Sequence, residues 1–254
     1  MSKGLGNFVW YDLMTTDIDA SKAFYTQLFG WSVKSMDMGE GATYHGWQNG
    51  EAGFGGIEKH RAPGAPSAWV GYIEVEDVDA TVARSEKMGG TVVVPAMDIP
   101  GDVGRIAFLN DPQGATFALY RSGKSHSDWE PRKDQAGDFG WAELGTTDVN
   151  GAKAFYGENF NWASGHTMEM PDGTYNMIML GEQSIGGMFD KPAQQPVSAW
   201  THYVNVDDTA ASAEKAKTLG ATILHGPQEI PGQVIFAIIA DPTGACFGIA
   251  QSLK

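Results

Sequence analysis

Shifted by 131 residues, the chain lies on itself. Trp10-x-Asp12-Leu13-x-Thr15-Thr16-Asp17 falls on Trp141-x-Glu143-Leu144-x-Thr146-Thr147-Asp148, and Ala23-Phe24-Tyr25 on Ala154-Phe155-Tyr156. The same shift carries Gly55-Gly56 onto Gly186-Gly187, Ser67-Ala68-Trp69 onto Ser198-Ala199-Trp200, Tyr72 onto Tyr203, and Ile99-Pro100-Gly101 onto Ile230-Pro231-Gly232. With one residue deleted near Gly104, Asp111-Pro112-x-Gly114-Ala115 matches Asp241-Pro242-x-Gly244-Ala245. A tandem duplication restricts the fold to one that can be built twice from about half of 254 residues. Ser122 to Asp138 is polar and has no hydrophobic period, so it reads as the linker between domains at 6–121 and 139–252.

Each copy divides again. Phe8 to Thr15 alternates as a strand does, and Ile18, Phe24, Tyr25, Leu28 and Phe29 then follow at helical spacing up to Gly30. A second stretch opens with Trp69 to Val75 and runs through Val78, Val82 and Met88 to Gly89-Gly90. It closes with strands at Thr91–Val94, Arg105–Leu109 and Thr116–Tyr120. Asp17 and Asp77 stand where N-caps belong. Four β-α-β-β-β units result, two per copy, an α+β arrangement.

Three strings in this order, Asp17-x-x-x-Ser21-x-x-Phe24-Tyr25-x-x-x-Phe29-Gly30-Trp31, Val75-x-Asp77-Val78-Asp79-Ala80 and Asp111-Pro112-Gln113-Gly114, recur with little change in the second copy. In them the chain resembles the vicinal oxygen chelate superfamily of glyoxalases, extradiol dioxygenases and bleomycin-resistance proteins, and its tandem "hydroxylase-like" members in particular. The resemblance implies two glyoxalase-like domains, each pairing two βαβββ units into a cupped sheet with helices outside and a ligand site within. Family enzymes hold a divalent metal on three inward strand positions. Those positions are Trp10, Val70 and Ala118 in one copy and Trp141, Thr201 and Gly248 in the other. None offers the imidazole, carboxylate or thiolate a divalent cation wants, so no metal and no other cofactor is expected.

Histidines do not rebuild the triad elsewhere. His45, His60, His166, His202 and His225 face Asn176, Lys191, Ser35, Gly71 and Val94 across the repeat, and His126 lies in the linker. They are read as surface or loop histidines titrating near neutral pH. Cys246, the one cysteine, reads as an inert strand thiol, and Gly53-Phe54-Gly55-Gly56 as a turn or bulge.

Strand alternation turns the family's ligand positions into an inward set. In the first copy it comprises Trp10, Asp12, Thr16, Tyr72, Glu74 and Tyr120. In the second it comprises Trp141, Glu143, Thr147, Tyr203 and Asn205, with Ala250 replacing the tyrosine. An ionised carboxylate in a cup must be solvated or hydrogen-bonded, so Asp12 and Glu143 either receive a cationic or donor group of a ligand or bond neighbouring hydroxyls and fix the sheet. Trp31, Trp69, Trp162 and Trp200 read as core, and Phe24, Tyr25, Phe155 and Tyr156 as helix faces packed on the sheet.

Two functions follow. One is binding of a small, aromatic molecule against Trp10 and Tyr72 without the metal triad. The alternative is a lyase, isomerase or oxygenase in which Asp12 or Glu143 serves as acid, base or non-standard metal ligand. With 17 Lys and Arg against 31 Asp and Glu, a net charge of −14 excludes a nucleic-acid or anionic-membrane partner. No export signal or apolar run of membrane-spanning length is seen, which with one cysteine points to the cytoplasm. An internal pseudo-dimer, monomeric in solution, or a homodimer is expected.

Overall fold

The computed structural model describes residues 4–39, 42–60, 64–124, 133–170 and 173–253. The order of elements repeats four times. The first module has β1 (Phe8–Thr15), α1 (Ile18–Phe29), β2 (Ser32–Gly39), β3 (Ala42–Asn49) and β4 (Ala52–Lys59). The second has β5 (Ala68–Glu74), α2 (Val78–Lys87), β6 (Thr91–Ile99), β7 (Gly104–Asn110) and β8 (Thr116–Ser122). The third has β9 (Phe139–Thr146), α3 (Val149–Phe160), β10 (Ala163–Met170), β11 (Gly173–Leu180) and β12 (Gln183–Asp190). The fourth has β13 (Ala199–Asn205), α4 (Thr209–Thr218), β14 (Thr222–Ile230), β15 (Val234–Ala240) and β16 (Cys246–Ser252).

Sheet membership follows the duplication. One curled sheet of eight strands runs β2-β3-β4-β1-β5-β8-β7-β6, and the other runs β10-β11-β12-β9-β13-β16-β15-β14. Aspartates start all four helices. Asp17, Asp77, Asp148 and Asp208 have extended backbones and accept from the amides of Ala20, Ala80, Gly151 and Ala211. Gly30 ends α1 in the left-handed conformation at φ 74°, and Asn161 does the same for α3 at φ 57°. The strands of the second module are longer than the alternation suggested. β6 reaches Ile99, and Pro100-Gly101 forms the turn after it, with Gly101 at φ 82°.

Core packing groups the chain differently from the sheets. Contacts divide it into a first unit, Met1–Trp10 with Gly71–Pro131 and Ala142–Trp200, and a second, Tyr11–Val70 with Arg132–Trp141 and Thr201–Lys254. Each unit therefore draws a module from either copy.

The first unit buries Phe117, Phe155, Tyr156, Phe160, Trp162 and Trp200. Helix α3 supplies Tyr156, whose ring stacks on Trp162 at 5.3 Å and meets Trp200 edge-on. A chain of polar groups runs through this apolar packing. Trp200 Nε1 donates to Tyr156 Oη at 2.9 Å, which donates to Asp111 Oδ2 at 3.1 Å. Asp111 also accepts from the amides of Gln113 and Ala115, so the Asp-Pro-x-Gly turn is tied to a helix of the other copy. Burial lifts the Asp111 carboxyl above its ordinary range against those bonds, and burial with the Asp111 charge pushes the Tyr156 phenol up. Trp162 Nε1 donates to Gly6 O at 2.7 Å, anchoring the stretch before β1.

The second unit repeats the pattern with Phe24, Tyr25, Trp31, Trp47, Trp69 and Phe247. Trp69 Nε1 donates to Tyr25 Oη at 2.8 Å, and the Tyr25 phenol is pushed up by burial and by the charge of Asp241. Trp31 Nε1 donates to Gly137 O at 2.9 Å, and Asn49 Nδ2 donates to Asp138 Oδ1 at 2.7 Å. The end of the linker is thus fastened, while His126 lies outside the described residues. The tryptophans are core, as expected. Tyr25 and Tyr156 do more than pack, since each carries a polar link through its unit's centre.

Candidate functional site

The acids at the matched strand positions both have tyrosine partners. In the second unit Asp12 of β1 stands opposite Gly56 of β4, and Tyr44 of β3 donates to Asp12 Oδ1 at 3.1 Å. In the first unit Glu143 of β9 stands opposite Gly187 of β12, and Tyr175 of β11 donates to Glu143 Oε1 at 2.8 Å. The intervening glycine makes each bond possible. A Cβ on Gly56 would lie 2.1 Å from Tyr44 Oη and 2.6 Å from Asp12 Oδ1, and one on Gly187 would lie 2.0 Å from Tyr175 Cζ. Each tyrosine reaches its acid across space that any other residue would fill.

The neighbouring glycines serve the backbone. A Cβ on Gly55 would meet Tyr11 O at 1.9 Å, and one on Gly186 would meet Ala142 O at 2.2 Å. The glycine pairs therefore sit inside β4 and β12 and not in a turn, and a register shift falls beside each, between Trp47 and Gln48 and between Ile178 and Met179, as a bulge would place it. Tyr44 and Tyr175 are the residues the sequence reading missed. Their signal was available, because the 131-residue shift superposes them as it does the glycine pairs.

Glu74, only 6% exposed in the first unit, is taken up by structure. Ser122 Oγ donates to its Oε1 at 3.1 Å, and its backbone pairs with Gly6 and Asn7 of the stretch before β1. Tyr120 Oη donates to Val103 O, and burial together with the Glu74 charge pushes this phenol up to about 12. Tyr72 pairs with Ala118 and meets Phe108 edge-on at 5.4 Å. Asn205, the second unit's counterpart of Glu74, donates to Lys133 O. Trp10 and Trp141 lie half-buried on β1 and β9. Thr16 and Thr147 follow the last residues of those strands, are exposed, and bond Ser67 and Ser198 through their amides, so strand alternation does not govern them.

At one of the metal positions, Gly248, the structure leaves no room for a ligand side chain. Tyr203 is paired with Gly248, and a Cβ on Gly248 would lie 2.2 Å from Tyr203 Cδ1. The tyrosine ring occupies the place where a side chain, and hence a ligand carboxylate, would begin. Among the described residues no three His, Cys, Asp or Glu side chains gather as a cation site.

The histidine reading needs one correction. His202 of β13 is 1% exposed, edge-on to Tyr11 at 5.1 Å and to Phe139 at 6.3 Å, and burial lowers its pKa to about 3. It is a neutral core residue and not a surface one. His45, His166 and His225 lie in strands as well, with Ser35 bonded to His45 and Gln228 to His225. Cys246 opens β16, and burial raises its thiol to about 11, which leaves it poorly nucleophilic. A shallow cleft between α3 and β10–β12 is crossed by Lys153 Nζ bonding Asn176 Oδ1 at 2.6 Å, on the sheet face opposite Tyr175. No helix among the described residues is long and apolar enough to cross a membrane.

Comparison with known proteins agrees with this architecture. The model of the Glyoxalase/Bleomycin resistance protein/Dioxygenase superfamily matches residues 7–119 and again 138–248. The Mycobacterium tuberculosis protein named "Putative glyoxylase CFP32" is 36% identical over 247 residues, covering 95% of this chain and 93% of its own. The anthracycline biosynthesis protein DnrV of Streptomyces peucetius is 29% identical over 258 residues, covering 95% and 92%. In fold the chain is similar to the Mn(II)-bound glyoxalase of Novosphingobium aromaticivorans, with a TM-score of 0.68 at 16% identity over 98% of this chain and 83% of that one. It is equally similar to the 2,3-dioxygenase LapB of Pseudomonas sp. KL28, with a TM-score of 0.68 at 13% identity over 99% and 94%. With its sequence matched in both halves and its paired βαβββ modules in two curled sheets, the chain belongs to the glyoxalase/bleomycin resistance protein/dioxygenase superfamily as a tandem two-domain member.

Proposed function

We propose that the chain binds a small aromatic molecule on the inward faces of its sheets and does so without the family's metal triad. The observation that carries this is Tyr203 lying over Gly248, where the space of a metal-binding side chain is taken by an aromatic ring. Of the residues read from the sequence, those offered to a ligand are Trp10, Asp12, Tyr72 and Tyr120 in one copy and Trp141, Glu143, Tyr203 and Asn205 in the other; Glu74, Thr16 and Thr147 are held by the bonds described above. Aromatic walls with a few fixed polar groups suit a flat organic molecule. The similarity to a protein named for anthracycline biosynthesis supports a ligand of fused rings. We place this binder in the cytoplasm, as a monomer whose two copies form an internal pseudo-dimer.

Elemental analysis of protein purified without chelator, followed by thermal melts with Zn²⁺, Ni²⁺, Mn²⁺ and Fe²⁺ and with a set of fused-ring aromatics, tests the reading. Occupancy of one site at 100 times its dissociation constant adds about 2.7 kcal/mol, enough to move the melt by several degrees. The expected result is a shift with an aromatic compound and none with a metal. Stoichiometric metal, or a shift with metals alone, overturns it.

A second reading is favoured by the carboxylate–phenol pairs. A carboxylate bonded to a tyrosine is a group that can accept a proton from a bound substrate, and that would make the chain an enzyme. Turnover of a bound compound that is lost in both Asp12→Asn and Glu143→Gln, with binding retained, would establish it.

A further inference from the structure

The two acid–tyrosine pairs share a scaffold but stand in opposite surroundings. On β9–β12, within the first unit, Met177, Gly187 and Glu143 form one row across three strands. Tyr175 lies over the gap at Gly187 and stacks with Phe189 at 6.1 Å and 16°. Met168 pairs with Tyr175. Met177 and Met179 close over the backbone of Gly165, whose Cβ would lie 3.0 Å and 2.9 Å from their nearest atoms, and Ser184 Oγ donates to Met179 Sδ at 3.3 Å. Met168, Met177, Met179 and Phe189 are all half-buried.

In the first module Gly46, Gln48 and Glu58 stand at the places of Met177, Met179 and Phe189, and Met36, paired with Tyr44 as Met168 is with Tyr175, reaches over Gly46. One face thus carries three thioethers and a second ring around its acid, whereas the other keeps a single thioether, Met36, beside Gln48 and Glu58. Thioethers are flexible and polarisable and favour the faces and edges of aromatic rings.

We infer that the face of β9–β12 bearing Met168, Met177, Met179, Tyr175 and Phe189 is the one that takes the ligand, and that the ligand is a flat fused-ring aromatic with a cationic or hydrogen-bond-donating edge set toward Glu143. This inference deepens the binding reading and rests on it. The row from Met177 to Glu143 spans two strand spacings, about 10 Å, which is the length scale of three fused rings. Rings lie on the methionines, and the donor edge meets the carboxylate that Tyr175 orients. The polar first-module face is then not a second copy of this site.

Fluorescence titration at 0.15 M and 0.5 M salt with 9-aminoacridine, a tricyclic cation, and anthracene-9-carboxylate, a tricyclic anion, tests it. Wild type is expected to bind the cation at least tenfold more tightly at both salt concentrations. Met177→Ser with Met179→Ser weakens both probes tenfold or more, and Glu143→Gln removes most of the preference for the cation while leaving the anion's affinity unchanged. Gln48→Ala with Glu58→Gln alters neither. Should the double serine variant melt early, the single Met168→Gln and Met179→Gln variants at half-buried positions carry the same expectation. Unchanged affinity in the methionine variants, or loss of binding in Tyr44→Phe instead, overturns the assignment of this face while leaving the binding reading intact. If wild type binds neither tricycle although other aromatics shift its melt, the ligand class is wrong. If no aromatic binds at all, the binding reading itself has failed.

Discussion

Lowering the pH from 7 to 5 tests whether His202 is held neutral in the core. Burial against the stacked rings of Tyr11 and Phe139 takes its pKa from 6.5 to about 3. Above pH 6.5 the imidazole is neutral in both folded and unfolded chains and contributes no pH dependence. Between the two values the unfolded chain takes up a proton that the folded chain refuses, so stability is full above 6.5 and is lost as pH falls toward 3. Each pH unit in that window costs about 1.36 kcal/mol, so pH 5 costs about 2 kcal/mol. For a chain of this size that lowers the melting midpoint by about 4–8 °C. Burial also raises the Asp111 carboxyl above its ordinary range, so His202 is not the sole source of pH dependence. The informative quantity is therefore the difference between wild type and His202→Asn in urea unfolding at pH 7, 6 and 5. The variant starts less stable but should lose about 2 kcal/mol less over that interval. Parallel pH profiles for the two proteins would refute the buried neutral imidazole.

Two further perturbations probe the polar link and the glycine pairs. Tyr156→Phe removes the hydroxyl joining Trp200 to Asp111 and leaves two buried polar atoms without that bond, so urea unfolding should show a loss of about 1–3 kcal/mol; a loss under about 0.5 kcal/mol would show the link to be idle. Gly55→Ala forces a methyl onto the carbonyl of Tyr11, which only a shift of β1 against β4 can relieve, and should cost about 3 kcal/mol. Gly46→Ala, whose Cβ would find its nearest neighbour at an ordinary 3.6 Å, should cost well under half of that, and equal losses would remove the steric argument.

The fold was largely legible because the residues that fix it act locally or recur. Four aspartates cap four helices through amides three residues on, and such local chemistry survives any tertiary context. Asp12 and Glu143 were singled out by the same kind of local argument, alternation counted from the family's ligand positions. Partners were not legible, because Tyr44 and Tyr175 arrive from strands whose register only the folded sheet defines. Thr16 and Thr147 were assigned a direction by continuing the alternation past the point where the strands end. His202 was misread because its burial comes from rings distant in sequence, Tyr11 and Phe139, that no pattern around residue 202 announces. Gly53-Phe54-Gly55-Gly56 reads as a turn or a bulge, and the register shift beside Gly55 is that bulge, but what the pattern does not announce is that Gly55 and Gly56 give room to a neighbouring strand's backbone and to a neighbouring ring.

The Trp–Tyr–Asp link has a consequence for how such a chain could arise. Asp111 belongs to the first copy and Tyr156 to the second, while Tyr25 of the first copy feels the charge of Asp241 in the second. A chain severed in the linker would yield two halves, neither owning a complete unit, and each would present aromatic surface shaped for the other. A polypeptide of one copy's length would own both the tyrosine and the aspartate of the link and would find their partners only in a second copy. Holding both copies in one chain makes that encounter independent of concentration.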